Sequence, residues 1–300
     1  LEAETIGSGA SGRNGGHLCQ GWSNDFYHIS NQLNSHDADL AWQAGMAAVE
    51  MVKSRIKKHK IKCDLQFGYL HAALHQRQLT ELLKMQDEWS DRGYNELTAL
   101  TNRSSLGTHI NSHSYCGGLH DNGSGQIQPL KYLMGLALAS LQAGAHIFEH
   151  SRVVKIDRGT KKTLHFQNAP PLTAKRVVLC GNAYLTDVGL RDMSRRLAKV
   201  TSSVLATTPL SDNMIQHILP SRATVADCNT ALNYYRIDAD NRMIFGGRAS
   251  YTNVDIGSIE AALRRRMVAV FPVLENAETD RVWSGHIGIT VDRIPHFGRT

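Results

Sequence analysis

The first nineteen residues, LEAETIGSGASGRNGGHLC, constrain this chain more than any other stretch. Leu1-Glu2-Ala3 has the form of a buried strand that closes on an acid. The run Gly9-Ala10-Ser11-Gly12-Arg13-Asn14-Gly15-Gly16 then sets four glycines around one arginine. Glycine has no Cβ and tolerates positive φ, so such a run lets backbone approach a phosphate or a flat ring. In a dinucleotide-binding fold, the acid that ends the second strand accepts hydrogen bonds from ribose hydroxyls. It follows a GxGxxG turn by about twenty residues. No such turn stands before Glu2, and the first residue is Leu rather than Met. The expectation is the acidic anchor of a cofactor site without its phosphate turn.

At 300 residues and 42% apolar content, the chain can bury one large core or two moderate ones. No apolar run approaches the roughly 18 residues that span a bilayer, and no signal-peptide pattern opens the sequence. Cys19, Cys63, Cys116, Cys180 and Cys228 are scattered, odd in number and free of any CxxC. That usage predicts a reduced, cytoplasmic protein. The formal charge of +6 is modest, and its densest cluster, Lys53 to Lys60, falls at a predicted helix end where cations suit the dipole. Basic residues are not interleaved with aromatics, which argues against nucleic acid as a partner.

Leu40, Ala44, Ala48, Val52 and Ile56 recur at i+4 and predict a helix from Asp37 to about His59. A strand is expected over Phe67 to Leu74, then a helix carrying Leu79, Leu82, Leu83, Gln86 and Trp89 that stops at Gly93. Thr101 to Gln126, rich in Asn, Ser, His and Gly, reads as mostly irregular. Pro129 begins a third helix that ends at Gly144. Short strands are expected at 146–148, 153–157, 163–166 and 176–180. The second half reads as strands at 200–207, 233–237, 243–246 and 279–284, with a helix from Ser258 to Val270.

Collinear blocks then carry a resemblance. They are the opening glycine block; Gly123-Ser124-Gly125-Gln126-Ile127-Gln128-Pro129-Leu130; Cys180-Gly181-Asn182-Ala183-Tyr184-Leu185; Asp227-Cys228-Asn229; Tyr234-Tyr235-Arg236; Asp240-Asn241-Arg242 with Phe245-Gly246-Gly247; Trp283-Ser284-Gly285; and Asp292 to Gly298. Together they make the chain resemble the FAD-dependent oxidoreductases of the D-amino-acid oxidase superfamily. The resemblance implies an α/β fold (α+β overall), in which an incomplete Rossmann-like FAD-binding domain is interleaved with a mainly antiparallel substrate-binding domain. The implied segments are 1–62, 127–198 and 285–300 for FAD, and 63–126 and 199–284 for substrate. Family members carry a strand, GxGxxG turn and helix upstream of Leu1 and a closing loop and helix downstream. The chain is therefore expected to be the middle of such an enzyme, folding poorly and binding FAD weakly by itself.

Residue by residue, the resemblance assigns Glu2 to the adenosine ribose. Ser11, Gly12, Arg13, Asn14, Gly15 and Gly16 go to the pyrophosphate and flavin side. It assigns Val153 to the adenine edge, Gly181 and Asn182 to a turn near the cofactor, and Arg293 and Pro295 to the flavin ring. Tyr234, Tyr235, Arg236, Arg248 and Trp283 are the candidate substrate residues. Aromatic walls can enclose methylenes and attract ammonium, and an arginine can pair with a carboxylate through two bonds. Alternation along a strand would send at least one of the two tyrosines inward.

The implied reaction is oxidation of a small-molecule amine of the γ-glutamylputrescine kind. Hydride passes to flavin N5, imine and aldehyde follow, and O2 is reduced to H2O2. No catalytic base is identified; His17 is the titratable group nearest the glycine run. The alternatives are a sarcosine-, glycine- or D-amino-acid-type oxidase, or an inactive fragment of such an enzyme. A zinc module built on His109, His113, Cys116 and His120 is a distant rival, and no metal is expected.

Overall fold

Glycine run, helix and strand alternate from the start of the chain in the computed structural model, which describes residues 1–23, 25–188, 195–250 and 256–298. The helix α1 (Ala10–Arg13) leads into the two-residue strand β1 (His17–Leu18) and the helix α2 (Phe26–Ser30). Next comes α3 (Ser35–His59), the longest helix. Asn34 caps it by accepting the Asp37 N–H at 2.9 Å, and Lys57, Lys58 and His59 sit in its last turn against the dipole. Strand β2 (Gln66–Ala73), helix α4 (Gln76–Asp91), strand β3 (Leu97–Leu100), helix α5 (Arg103–Gly107) and strand β4 (Gly117–Gln126) follow. Helix α6 (Pro129–Gln142) starts on proline, whose missing N–H costs nothing at a first helical position.

The three strands β5 (Val153–Asp157), β6 (Lys162–Phe166) and β7 (Leu172–Ala174) form a small antiparallel sheet. Beyond a 3-10 turn at Asn182–Val188 run β8 (Leu197–Thr207), β9 (Thr224–Asp227), β10 (Tyr234–Ile237), β11 (Met243–Ser250) and β12 (Thr279–Thr290). A helix at Asp212–Ile218 and another at Ile256–Val270 interrupt them. The larger sheet has nine strands in the order β1-β4-β2-β9-β10-β11-β8-β12, with β3 also on β4. Its pairs are antiparallel except β2 with β9, where Tyr69 to Ala72 lie beside Thr224 to Asp227. The fold is mixed α/β.

Two expectations change. The stretch from Thr101 to Gln126 is not mostly irregular: it holds α5 and the ten-residue β4, which pairs with β1, β2 and β3. Its glycines read as loop signals but serve close strand approach; a Cβ at Gly125 would stand 2.1 Å from the Gln66 carbonyl oxygen. Conversely, 146–148 and 176–180 are not strands. Propensity alone does not make a strand without a ladder partner, and Val178 is 83% exposed.

Alternation along the strands divides the sheet into two faces. Leu70, Ala72, Leu205, Tyr235, Ile237 and Phe245 face the helix Ile256–Val270 and pack on its Ile259, Leu263 and Met267. Tyr69, His71, Val204, Tyr234 and Arg236 belong to the opposite face, which meets the glycine loop and α4. Leu263 is completely buried, so Leu263→Ala should lower the unfolding free energy by about 3 kcal/mol in a urea titration. Arg77→Ala, which removes an exposed pair with Glu81 at 3.1 Å, should change it by less than about 0.5 kcal/mol.

Candidate active site

The glycine run is fastened to the sheet from three directions. Asn14 Nδ2 donates to the Ala10 and Ser11 carbonyls at 3.1 and 3.0 Å, and Asn14 Oδ1 accepts the Gly16 N–H at 2.9 Å. This one side chain closes the end of α1 and sets the turn that follows. Arg236 is 6% exposed; its Nε donates to the Gly15 carbonyl at 2.6 Å and its Nη1 to Gln126 Oε1 at 3.2 Å. Arg13 Nη1 donates to the Ser284 carbonyl at 3.1 Å, while Trp283 Nε1 donates to the Arg13 carbonyl at 2.8 Å. Strands β10 and β12 thus hold the loop at Gly15 and at Arg13.

Gly16 has φ of +81°, and a Cβ there would lie 2.2 Å from the Ile127 carbonyl oxygen. At Gly15 it would lie 2.6 Å from the Tyr234 ring. The Gly15 backbone therefore packs on the Tyr234 ring, and that of Gly16 on the Ile127 backbone. Tyr234 sits edge-on to His17, with centroids 5.3 Å apart, and its hydroxyl is 3.2 Å from Ser202 Oγ. Tyr69 meets His17 edge-on at 5.7 Å, and His71 follows Tyr69 at 4.7 Å. These rings make an aromatic wall next to the glycine loop.

The wall carries no positive histidine at neutral pH. Burial lowers His17 to about 3, helped by the nearby Arg236 charge, and its Nε2 is buried without a hydrogen-bond partner. Burial likewise lowers His71 to about 4. Burial also raises the Tyr69 phenol well above its usual range. Asp121, 1% exposed, accepts from the Tyr94 hydroxyl and Ser124 Oγ, each at 2.5 Å, and from the Gly123 N–H at 2.9 Å.

The other sequence-derived candidates are distributed more widely. Glu2 donates its N–H to the Phe148 carbonyl at 2.9 Å and accepts from Ser151 N–H at 2.8 Å; its Oε1 accepts the Glu4 N–H at 3.0 Å. Ser11 and Gly12 lie in α1, which packs against α6. Val153 opens β5 opposite Phe166. The Gly181 carbonyl accepts the Tyr184 N–H at 2.9 Å, and Asn182 Oδ1 accepts the Gly288 N–H at 2.7 Å. Arg293 and Pro295 are exposed, and the Arg293 carbonyl accepts from Ser23 Oγ at 2.7 Å. Tyr235 points to the other face, stacked on Phe245 at 5.3 Å with its hydroxyl donating to Tyr115. Arg248 lies in β11, and its side chain is outside the described residues.

Sequence reasoning missed Tyr69, His71 and Asp121. The alternation in Phe67-Gly68-Tyr69-Leu70-His71 already puts Tyr69 and His71 on one strand face. Of the histidines considered for zinc, His109 and His120 have ring centroids 4.2 Å apart, whereas His113 bonds to Arg103 and Cys116 is exposed. Among the described residues, no helix is long and apolar enough to cross a membrane.

The sequence model for the DAO family, described as FAD dependent oxidoreductase, matches residues 1–300. The chain is 34% identical to a probable oxidoreductase OrdL of Haemophilus influenzae, over all of this chain and 69% of that protein. It is 33% identical to γ-glutamylputrescine oxidoreductase of Escherichia coli, over all of this chain and 70% of that protein. Among solved structures, glycine oxidase from Geobacillus kaustophilus superposes with a TM-score of 0.76 at 22% identity, covering all of this chain and 78% of that one. L-Proline dehydrogenase from P. horikoshii superposes with a TM-score of 0.78 at 15% identity, covering all of this chain and 77% of that one.

The buried histidines give stability a pH dependence. His17 at about 3, and His71 and His120 at about 4, all lie below the value of 6.5 for an unhindered histidine. Between those limits the unfolded chain binds more protons than the folded one, so stability rises with pH and is lost on acidification. Urea titrations should show the unfolding free energy falling steadily from about pH 6.5 to pH 4. His71→Gln should reduce that slope by up to about 1.4 kcal/mol per pH unit.

Proposed function

The chain belongs to the DAO family of FAD-dependent oxidoreductases, and from that premise we propose that it oxidises an amine of the γ-glutamylputrescine kind, with O2 as acceptor and H2O2 as product. The observation that carries this reading is the aromatic wall of His17, Tyr69 and Tyr234 beside the bare backbone of Gly15 and Gly16. Rings without charge suit an amine that must lie unprotonated near the carbon to be oxidised. The likeness over the whole chain to γ-glutamylputrescine oxidoreductase supports the choice of substrate.

FAD fits the residues at this position. Gly15 and Gly16 are buried against Tyr234 and Ile127, which sets the course of the loop whose exposed members, Ser11, Arg13 and Asn14, lie at the surface. His17 Nε2 is a buried polar atom lacking a protein partner. We assign Ser11, Gly12, Arg13, Asn14, Gly15 and Gly16 to the pyrophosphate and flavin side, and Glu2 to the ribose. Val153, Gly181, Asn182, Arg293 and Pro295 complete the cofactor set. When bound, FAD supplies the acceptor for a hydride from the amine-bearing carbon.

The protein's own contribution is placement. Tyr234 and Trp283 border the loop and would enclose substrate methylenes. Arg236 has its fork committed to Gly15 and Gln126, so its role is to position the loop. Arg248 remains a candidate substrate residue from the sequence alone, and an arginine can pair with the γ-glutamyl carboxylate. His17, lowered to about 3, is too weak a base to carry protons at neutral pH, and no general base is named. In this reading, residues 1–62, 127–198 and 285–300 form the cofactor part, and 63–126 with 199–284 the substrate part. Strands β2 to β4 and β8 to β11 share one sheet, which β1 also joins and whose last strand, β12, runs across the 284/285 boundary. Five cysteines without a disulfide support a reducing, cytoplasmic setting.

The full chain, supplied with FAD, should release peroxide with γ-glutamylputrescine at least about tenfold faster than with sarcosine, glycine or D-alanine, a discrimination of about 1.4 kcal/mol in transition-state binding. Peroxide release confined to one of the three small amino acids would replace this substrate with that one.

A further inference from the structure

Two glycines far apart in sequence, Gly15 and Gly246, meet at the same ring atom of Tyr234. A Cβ at Gly246 would lie 2.1 Å from Cζ, 2.3 Å from Cε2 and 2.5 Å from the hydroxyl oxygen. One at Gly15 would lie 2.6 Å from Cε2 and 3.0 Å from Cδ2. The ring thus occupies a notch that exists only because neither residue has a side chain. Gly246 is the cross-strand partner of Tyr234 in the β10–β11 pair, and Val204 of β8 is its partner on the other side. A glycine inside a strand gives up packing, and its use there marks close approach by another group. A ring over a strand glycine can serve simply to cover bare backbone. Here the same ring is also the surface on which the loop rests.

The ring is held at several points. Its hydroxyl is 3.2 Å from Ser202 Oγ, and it meets His17 edge-on with centroids 5.3 Å apart. Burial raises the Tyr234 phenol above its usual range, so at neutral pH the hydroxyl keeps its proton and either oxygen can donate to the other. Arg236 stands two residues along β10, hence on the same face, and its Nε donates to the Gly15 carbonyl at 2.6 Å. Strand β10 therefore grips Gly15 twice, by a hydrogen bond and by a ring. The hydrogen bond fixes the carbonyl; the ring supports the Cα. Gly246 lies buried between two strands and cannot step aside. A side chain there would force the ring out of its notch and withdraw the support under Gly15.

We propose that Gly246 is a positioning residue for the amine site: with Ser202 it seats the Tyr234 ring, and through that ring it holds Gly15 of the glycine loop in place. Resting on the amine-oxidation reading, Tyr234 is a wall of the substrate site, so the seat of its ring governs how well the amine is held.

A double-mutant cycle tests this, because an effect that passes through the ring vanishes once the ring is gone. In the full chain supplied with FAD, Gly246→Ala should raise the KM for γ-glutamylputrescine about tenfold and change kcat less than about twofold. In a Tyr234→Ala background the same alanine should change KM less than about twofold. Hydrogen exchange over residues 9–17, measured by mass spectrometry without substrate, should follow the same pattern. It should be faster in Gly246→Ala than in wild type, and no faster in the double variant than in Tyr234→Ala. Ser202→Ala should raise both KM and exchange, and Ser202→Thr, which keeps a hydroxyl, should restore them. That serine pair decides the matter if Gly246→Ala does not fold, and a silent Ser202→Ala would then overturn the proposal. Additive effects of Gly246→Ala and Tyr234→Ala, or unchanged exchange over residues 9–17 in Gly246→Ala, would also overturn it. Ring-dependent exchange without any amine oxidation would uphold the positioning role and reject the oxidation reading. Amine oxidation with KM unmoved in folded Gly246→Ala would uphold oxidation and reject the positioning role.

Discussion

A guanidinium at 6% exposure survives only if its hydrogens meet good acceptors, and Arg236 gives two of them to Gly15 and Gln126. Those two acceptors come from segments more than one hundred residues apart in sequence. Gln126 in turn accepts nothing further from the loop but donates through Nε2 to Gln66 Oε1 at 3.1 Å. One side chain thus ties the glycine run, the end of β4 and the start of β2 to strand β10. The position of Gly15 depends on it, and the pairing of Ile127 with Gly16 and of β1 with β4 carries that position on to His17.

The same face of the sheet keeps its buried polar groups neutral or committed to partners. Buried histidines stay neutral, buried Asp121 is held by Tyr94, Gly123 and Ser124, and Arg236 is turned away into the loop. A chemistry based on uncharged amines near the loop is compatible with this pattern. The opposite face has no such character: Tyr235, Phe245, Phe271 and Leu263 form a dry core in which the polar tip of Tyr235 finds Tyr115.

Much of the architecture was legible because it is local. The i+4 stripe of α3, the proline start of α6 and the turn between β10 and β11 announce themselves over a few residues. Strand β4 did not, since its glycines answer to neighbours distant in sequence: Gly125 to the Gln66 carbonyl, Gly118 to that of His71 and Gly117 to that of Leu100. Nor could the role of Arg236 be read in sequence: a Tyr-Tyr-Arg strand shows which residues alternate but not which carbonyl the arginine will meet. Tyr69 and His71 were recoverable from alternation; the edge contact of Trp42 with Trp89, centroids 5.4 Å apart, was not, because it depends on how α3 and α4 pack. The family itself was legible because many short blocks keep their order, and that signal survives local ambiguity.

Strands β8 and β12 pair from Thr207 and Thr279 at one end to Leu197 and Thr290 at the other, with one register shift between Thr279 and Arg281. Strand β11 accompanies β8 only between Thr201 and Ala206. Past that point the two strands continue, among the described residues, as a two-stranded ribbon against which the Asn182–Val188 turn packs, and twist is larger in such a ribbon than in a broad sheet. Trp283 and Ser284 grip the Arg13 loop near its middle, and Asn182 clips it farther out at Gly288. The Arg13 loop and the Asn182 turn are therefore mounted on a single beam. A torque applied at the outer end would be delivered to the arginine, and the two mounts can be displaced together far more easily than one against the other.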